Sequence, residues 1–514
     1  MLPGRSPMNR IQEQRRNVFG FLFLLALSAC PAWAQRASGP EAKTARYFES
    51  IRRQPSLLMD FLRRMPKGGD LHNHLSGAVY AESFIRWAAE DGLCADRNTA
   101  TLVGPPCDTS RPPASAAYRD AGLYSSLLDA FSMRGWNPAR ESGHDHFFAT
   151  FGKFGAASGS HTAEMLAEIR SGAATENVQY LETMFNPDGG QAAKLGASLA
   201  WSDDLGKMRE QLLAGGLPEI VAAASRSLDQ IEATESQELH CGTSQADPGC
   251  RVQARYIYQV ARGLSKEMVF AQILAGFEMA SRDPRVVGLN LVMAEDWPVP
   301  LHDFNAHMQM LDFLHGIYPK VHITLHAGEL TRILAAPEDL FHIRASIEHG
   351  HAERIGHGVD VMEEADPIAL LREMARKKVL VEICLTSNDV ILGVTGGRHP
   401  LPVYLRFGVP VALATDDPGV SRSNMTHEYQ RAVETYGLTY TQIKQIARAS
   451  LTYSFLPGES IWISLGNAKN AVCASENPAS ARVSPACSAL LSKSAKANAQ
   501  WQLEKAFADF ESRF

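Results

Sequence analysis

Short, near-continuous apolar runs, each trailed by a helical pattern, constrain this 514-residue chain more than any other feature. They read GDLHNHL (69–75), VQYLETMF (178–185), MVFAQILAGF (268–277), VVGLNLVM (286–293), VHITLHAG (321–328), ERIGHGV (353–359), VLVEICL (379–385) and VPVALATDD (409–417). Continuous rather than alternating apolarity marks parallel strands buried on both faces. Eight such strands separated by helices predict a (β/α)₈ TIM barrel. An open doubly wound sheet is the alternative, and the lack of a Gly-x-Gly-x-x-Gly after an early strand counts against its dinucleotide-binding form. Segments 93–140, about 190–265, and the tail beyond 465 interrupt the alternation and read as insertions. In the tail, Trp501, Leu503, Phe507 and Phe510 fall near one helical face suited to packing on the barrel wall.

A net charge of −6 and the lack of any long basic run exclude a nucleic-acid footprint. At the N-terminus, Arg10, Arg15 and Arg16 precede the apolar run Val18–Cys30, and a small-x-small pattern ends at Ala34. That is an export signal, too short to span a bilayer, so residues 1–34 are expected to leave and the mature chain to carry no transmembrane span. Lipidation at Cys30 within LSAC is a second route, and RRNVF is a weak twin-arginine match. Cys94 and Cys107, Cys241 and Cys250, and Cys473 and Cys487 each bracket a short loop. Sequence-near pairs of this kind are what disulfides of an oxidising compartment look like, periplasmic or secreted. Cys384 sits in an apolar run and reads as a small buried hydrophobe.

Polar side chains that would be costly inside a barrel collect at the C-terminal ends of five of these runs: His72 and His74, Glu295, His326 and Glu329, His357, and Asp416 with Asp417. In a barrel those ends share one face, where active sites are built. Taken singly each has a dull explanation, a hydrogen-bonded strand-end histidine or an Asp-Asp-Pro turn. Residues i and i+2 of a strand point the same way, so His72 and His74 can present two imidazoles to one point. His326 and Asp416 complete a three-histidine, one-carboxylate set suited to a single zinc ion with room for a water. His357 is placed to orient or deprotonate that water, and Glu329 to donate a proton.

The ordered motifs MPKGGDLHNHLSGA, HAGE (326–329), ERIGHG (353–358), EICLTSN (382–388) and ATDDP (414–418) resemble those of adenosine deaminases, from about residue 65 to about 420. The export signal, length and disulfide-type loops are similar to the secreted, growth-factor-related branch of that family. The resemblance implies one barrel domain over residues 35–514, and zinc held by His72, His74, His326 and Asp416. It also implies that hydroxide attacks C6 of adenosine or 2′-deoxyadenosine while Glu329 protonates N1. His357 would activate or orient the water, Asp417 would bond N7, and inosine or 2′-deoxyinosine and ammonia would leave. The partners are thus a small purine nucleoside and water.

Two positions depart from the family. Ser76 stands where a carboxylate binds the ribose 5′-hydroxyl, and Met293 stands where a glycine N–H meets N3. These departures keep open the same chemistry on adenine, a modified adenosine or another aminated heterocycle. Two further readings are a non-catalytic binding or signalling protein on the barrel scaffold, and a metallohydrolase of esters or amides. HFFATFGKF (146–154) reads either as an aromatic lid or as plain helix core, since Phe147, Phe151 and Phe154 follow i, i+4, i+7 spacing.

Overall fold

The computed structural model describes residues 39–463, 471–480 and 482–514, so the expected export segment lies outside the described residues. Eight parallel strands follow one another around a barrel: β1 (Gly68–His74), β2 (Val178–Phe185), β3 (Gln253–Ala261), β4 (Val286–Val292), β5 (His322–Ala327), β6 (Arg354–His357), β7 (Leu380–Ile383) and β8 (Val411–Leu413). Each pairs with the next, and a parallel bridge between Asn73 and Asp416 closes the ring just past the end of β8. At the seam His74 N–H donates to Asp416 O (3.0 Å) and Asp416 N–H to His72 O (2.9 Å). Helices occupy the intervals between strands and cover the outer wall, as expected for buried parallel strands.

One strand is not where the apolar runs place it. MVFAQILAGF lies inside the helix Lys266–Arg282, and the third strand is QARYIYQVA, within the segment expected to be an insertion. The helix misleads because every residue from Val269 to Met279 is buried. One side meets the barrel, where Gly276 fits beside Tyr258. The other lies under the helix Gln191–Ala197, whose Gly196 sits against the Glu267 carbonyl. A helix covered on both sides loses its 3.6-residue signature. The strand hides in turn because Gln253, Arg255 and Gln259 break its apolar run. The insertion proper is therefore the helical layer up to Glu238 and the loop after it.

Within the 93–140 segment, a small hairpin (Cys94–Ala95 with Leu102–Val103) precedes the helix Ala121–Ala130. Disulfides join Cys94 to Cys107, Cys241 to Cys250 and Cys473 to Cys487, and Cys384 is free and buried. The C-terminal helix Ala495–Glu511 buries Trp501, Leu503, Phe507 and Phe510, and its Glu504 and Glu511 pair with Arg448 and Lys444 of the helix Tyr440–Thr452. Among the described residues no helix is long and apolar enough to cross a membrane.

The entry into β1 rests on two residues of the first motif. Gly68 has φ +73°, and a side chain there would meet Ala447 O at 2.4 Å, so both conformation and space demand glycine. Lys67 is fully buried, with Nζ at 2.6 Å from Leu62 O, 3.1 Å from Met65 O and 2.6 Å from Glu176 O. Its Nζ thus ties together carbonyls at the C-terminal ends of the helices Pro55–Arg64 and Thr162–Thr175, of which Leu62 O also accepts the Met65 N–H. Lys67→Met should remove all three bonds and lower the unfolding free energy by about 3 kcal/mol, roughly 1 for each lost bond. The check is a lower urea midpoint at unchanged slope.

Candidate active site

The first two histidines leave β1 where its pairing with β2 slips by one residue, between Asp70 and Asn73. Bulges of this kind re-aim side chains. His72 and His74 then face the barrel axis together with His326 of β5 and Asp416 after β8. One ligand atom from each of the four lies within 4.8 Å of all the others.

Hydrogen bonds fix the tautomers of the three imidazoles. His72 Nδ1 meets Glu382 Oε2 at 2.7 Å, His74 Nδ1 meets Gln259 Oε1 at 3.0 Å, and His326 Nδ1 meets Asn290 Oδ1 at 2.9 Å. Asn290 Oδ1 also accepts the His326 backbone N–H, so that atom is the amide oxygen. Each Nδ1 is therefore the donor, which leaves the Nε2 lone pairs pointing inward. His74 Nε2 lies 3.2 Å from His326 Nε2, and His72 and His74 Nε2 each lie 3.4 Å from Asp416 Oδ1. His72 Nε2 is buried without a hydrogen-bond partner. Lone pairs facing one another around a carboxylate repel unless something positive sits between them, so the donor set fits one divalent ion.

The proton affinities tell the same story. Burial disfavours charge on His72, but Asp416 and Glu382 outweigh it and push its pKa up to about 10. His326 is held well below the ordinary value by burial and by the neighbouring histidines. The carboxylates thus call for a positive charge at this point. Cys384, in reach of His72 and His357, stays a thiol because burial and nearby carboxylates push its pKa well above the usual range.

Facing this group, Glu329 and Asp417 are carboxyls with raised proton affinity. Burial, then Asp416 and Glu295, raise Glu329 well above the ordinary carboxyl range; burial, then Asp416, do the same for Asp417. Glu329 Oε1 and Asp417 Oδ1 are both buried and unpartnered. Gly77 makes room for Asp417, since a Cβ there would lie 1.5 Å from Asp417 Oδ1. His357 ends β6 and is held neutral, its pKa lowered to about 3 chiefly by burial. One ligand atom each of Glu329, His357 and Asp416 lie within 4.8 Å of one another. Ser76 and Met293 line the same cavity, of about 250 Å³, with Phe147, Phe148, Phe151, Trp297 and Ile391 as its apolar wall. Phe154 instead stacks on Phe84 in the core, so the aromatic helix Gly143–Ser158 serves both as wall and as packing. A larger space of about 690 Å³, lined by Arg63, Asn73, Glu168 and Glu176 among others, receives none of the converging histidines.

The supporting residues were not legible as such. Glu382 accepts from His72, and its other oxygen meets Arg354 Nε at 2.7 Å; Arg354 NH1 in turn meets Glu182 at 2.6 Å. Ser387 donates to Asp416 Oδ2 at 2.6 Å. Glu295 accepts from Gly328 N–H (3.0 Å) and Glu329 N–H (2.8 Å), which sets the HAGE turn, and Arg262 holds the carbonyls of His326 and Met293. Glu382, Ser387 and Asn388 lie in the quoted EICLTSN, the one motif with no role assigned to it, and Gln259 lies in the missed strand.

A parallel barrel with histidines and an aspartate converging at its C-terminal strand ends defines a TIM barrel carrying a candidate metal site. Residues 217–461 match the family model "Adenosine deaminase". The adenosine deaminase of Pectobacterium atrosepticum is 35% identical over 179 residues, 35% of this chain and 48% of the relative. That of Escherichia coli strain SE11 is 39% identical over 215 residues, 41% of this chain and 59% of the relative. The chain thus spans about half to three-fifths of the length of these relatives. An adenine deaminase structure from Arthrobacter aurescens is 17% identical with a TM-score of 0.50, covering 76% of this chain and 94% of that one. An Arabidopsis N6-mAMP deaminase is 20% identical, also at 0.50, covering 77% and 96%. Both speak to the fold alone.

Because Glu382 fixes the His72 ring, Glu382→Gln should weaken zinc affinity about 10- to 100-fold. Competition with a chromophoric chelator reads this directly.

Proposed function

We propose that the chain is an exported zinc-dependent aminohydrolase converting adenosine or 2′-deoxyadenosine and water to the inosine product and ammonia. The observation that carries this reading is the pairing, across one small aromatic cavity, of an inward-facing His72, His74, His326 and Asp416 set with two buried, unpartnered carboxyl oxygens of Glu329 and Asp417. Zinc on those four residues supplies Lewis-acid activation of a water at neutral pH. His357 orients the attacking water toward C6. Glu329 gives its proton to N1 as C6 becomes tetrahedral, and Asp417 donates a hydrogen bond to N7 because it, too, is neutral. The N–H of Met293 faces N3, and the aromatic wall excludes bulk water.

A second reading keeps the chemistry and changes the substrate to adenine, a modified adenosine or another aminated heterocycle. Ser76 favours it, since it places one neutral hydroxyl where a nucleoside enzyme would place charge. Among the described residues no Lys or Arg lines the cavity, which speaks against a phosphorylated substrate. Export accords with the three disulfides and with the resemblance to the secreted branch. We take residues 35–514 as one catalytic domain carrying the insertions.

Purified protein lacking residues 1–34 should deaminate adenosine, lose activity to a chelator and regain it with zinc. Bound zinc with turnover of adenine but not adenosine would establish the second reading, and zinc with neither would sink both. Ser76→Asp should lower KM for adenosine about tenfold relative to adenine, one charged hydrogen bond being worth about 1.5 kcal/mol or more. The Glu329 proton must be present for turnover. Its pKa is raised in the folded protein by burial, then by Asp416 and Glu295, so activity should persist above the ordinary carboxyl range and fall as pH rises through that raised value. Glu329→Gln should bind zinc yet be inactive at every pH.

A further inference from the structure

His357 reaches its place through a chain of hydrogen bonds that begins at a backbone amide. Leu401 N–H donates to His399 Nδ1 at 3.1 Å. A backbone N–H can only donate, so in a neutral ring the proton sits on His399 Nε2. Burial keeps that ring neutral, with Arg431 adding to the effect and the pKa drawn down to about 4. His399 Nε2 lies 3.1 Å from Asn388 Oδ1, which assigns the amide: its oxygen faces His399 and its nitrogen faces His357. Asn388 Nδ2 then lies 2.9 Å from His357 Nδ1, and an amide nitrogen can only donate. Glu329 Oε1, the other group near that ring nitrogen, lies at 3.6 Å, beyond hydrogen-bond reach. Each bond sets the direction of the next.

We propose that His399 and Asn388 are positioning residues that hold His357 as its Nε2–H tautomer, so that it meets the reaction as a hydrogen-bond donor rather than as a lone pair. His357 Nε2 is buried and has no protein partner, which leaves this N–H for an oxygen in the cavity. The chain also explains two residues that lie outside the cavity wall. Asn388 bonds through its side chain to His357 and His399 and not to the four candidate ligands, yet it is completely buried, and His399 is almost so. The kinetic consequence rests on the deaminase reading; the tautomer does not.

The test uses the zinc-loaded full mature chain labelled with ¹⁵N-histidine, with two-bond ¹H–¹⁵N spectra reporting which ring nitrogen carries the proton. The His357 signals are assigned by their loss in His357→Gln. Wild type should show His357 protonated at Nε2. In Asn388→Asp the carboxylate can only accept, so the proton should move to Nδ1 and the pattern invert. His399→Phe frees the amide to rotate and should give a mixture, while His399→Gln restores an N–H donor and the wild-type pattern. That pair serves if the buried charge introduced by Asn388→Asp prevents folding. In the variants with altered tautomer kcat should fall about 10- to 100-fold, the usual cost of removing an orienting partner, with KM and zinc content little changed. A wild-type His357 protonated at Nδ1, or variants that leave its tautomer unmoved, overturns the proposal. Turnover with the wrong tautomer condemns the relay alone, whereas the expected tautomers without turnover condemn the deaminase reading alone.

Discussion

A single buried carboxylate, Glu382, ties the barrel to its site. One oxygen holds the His72 imidazole, and the other meets Arg354, which reaches Glu182 on the far side of the barrel and stacks over Phe455 at 3.8 Å. All three charged side chains are shut away from solvent. Ions buried this completely are costly unless paired, so the stretch from Glu182 to His72 has essentially one satisfactory arrangement. That arrangement fixes the ring direction of His72, and with it the point at which the other inward-facing atoms converge. An apolar barrel core of the same volume could be as stable, but it would leave His72 free to rotate.

Backbone conformation does the same work from the chain side. Met293, His357 and Asp416 adopt φ of +89°, +68° and +61°, values that non-glycine residues reach only when neighbours hold them there. Arg262 grips the Met293 carbonyl, Asn388 the His357 ring, and the β1 seam the amide of Asp416. At these three positions the strained backbone lies where a side chain turns into the cavity instead of along the wall. Met293 occupies a conformation natural to glycine, and its side chain adds to the cavity wall.

Much of this was legible from residue order. The eightfold strand–helix alternation gave the barrel, because burial on both faces leaves continuous apolar runs, and the strand-end histidines and acids marked the site. The third strand was misplaced for a specific reason: the helix Lys266–Arg282 is covered on two sides and reads like a strand, while Gln253–Ala261 carries polar residues and does not. The supporting residues were illegible for another. Gln259, Asn290, Glu382 and Asn388 act only through a partner on another element, from 31 positions away between Asn388 and His357 to 310 between His72 and Glu382, and no local pattern records such a pairing.

What the sequence by itself determined is therefore the set of strands, up to that one exchange, and the chemical kinds of group at their ends, since burial and residue type are local properties. Only the tertiary structure decided which nitrogen of each histidine faces inward and which carboxyls have raised proton affinity. Those depend on distances between segments hundreds of residues apart and on the low dielectric that closing the barrel creates.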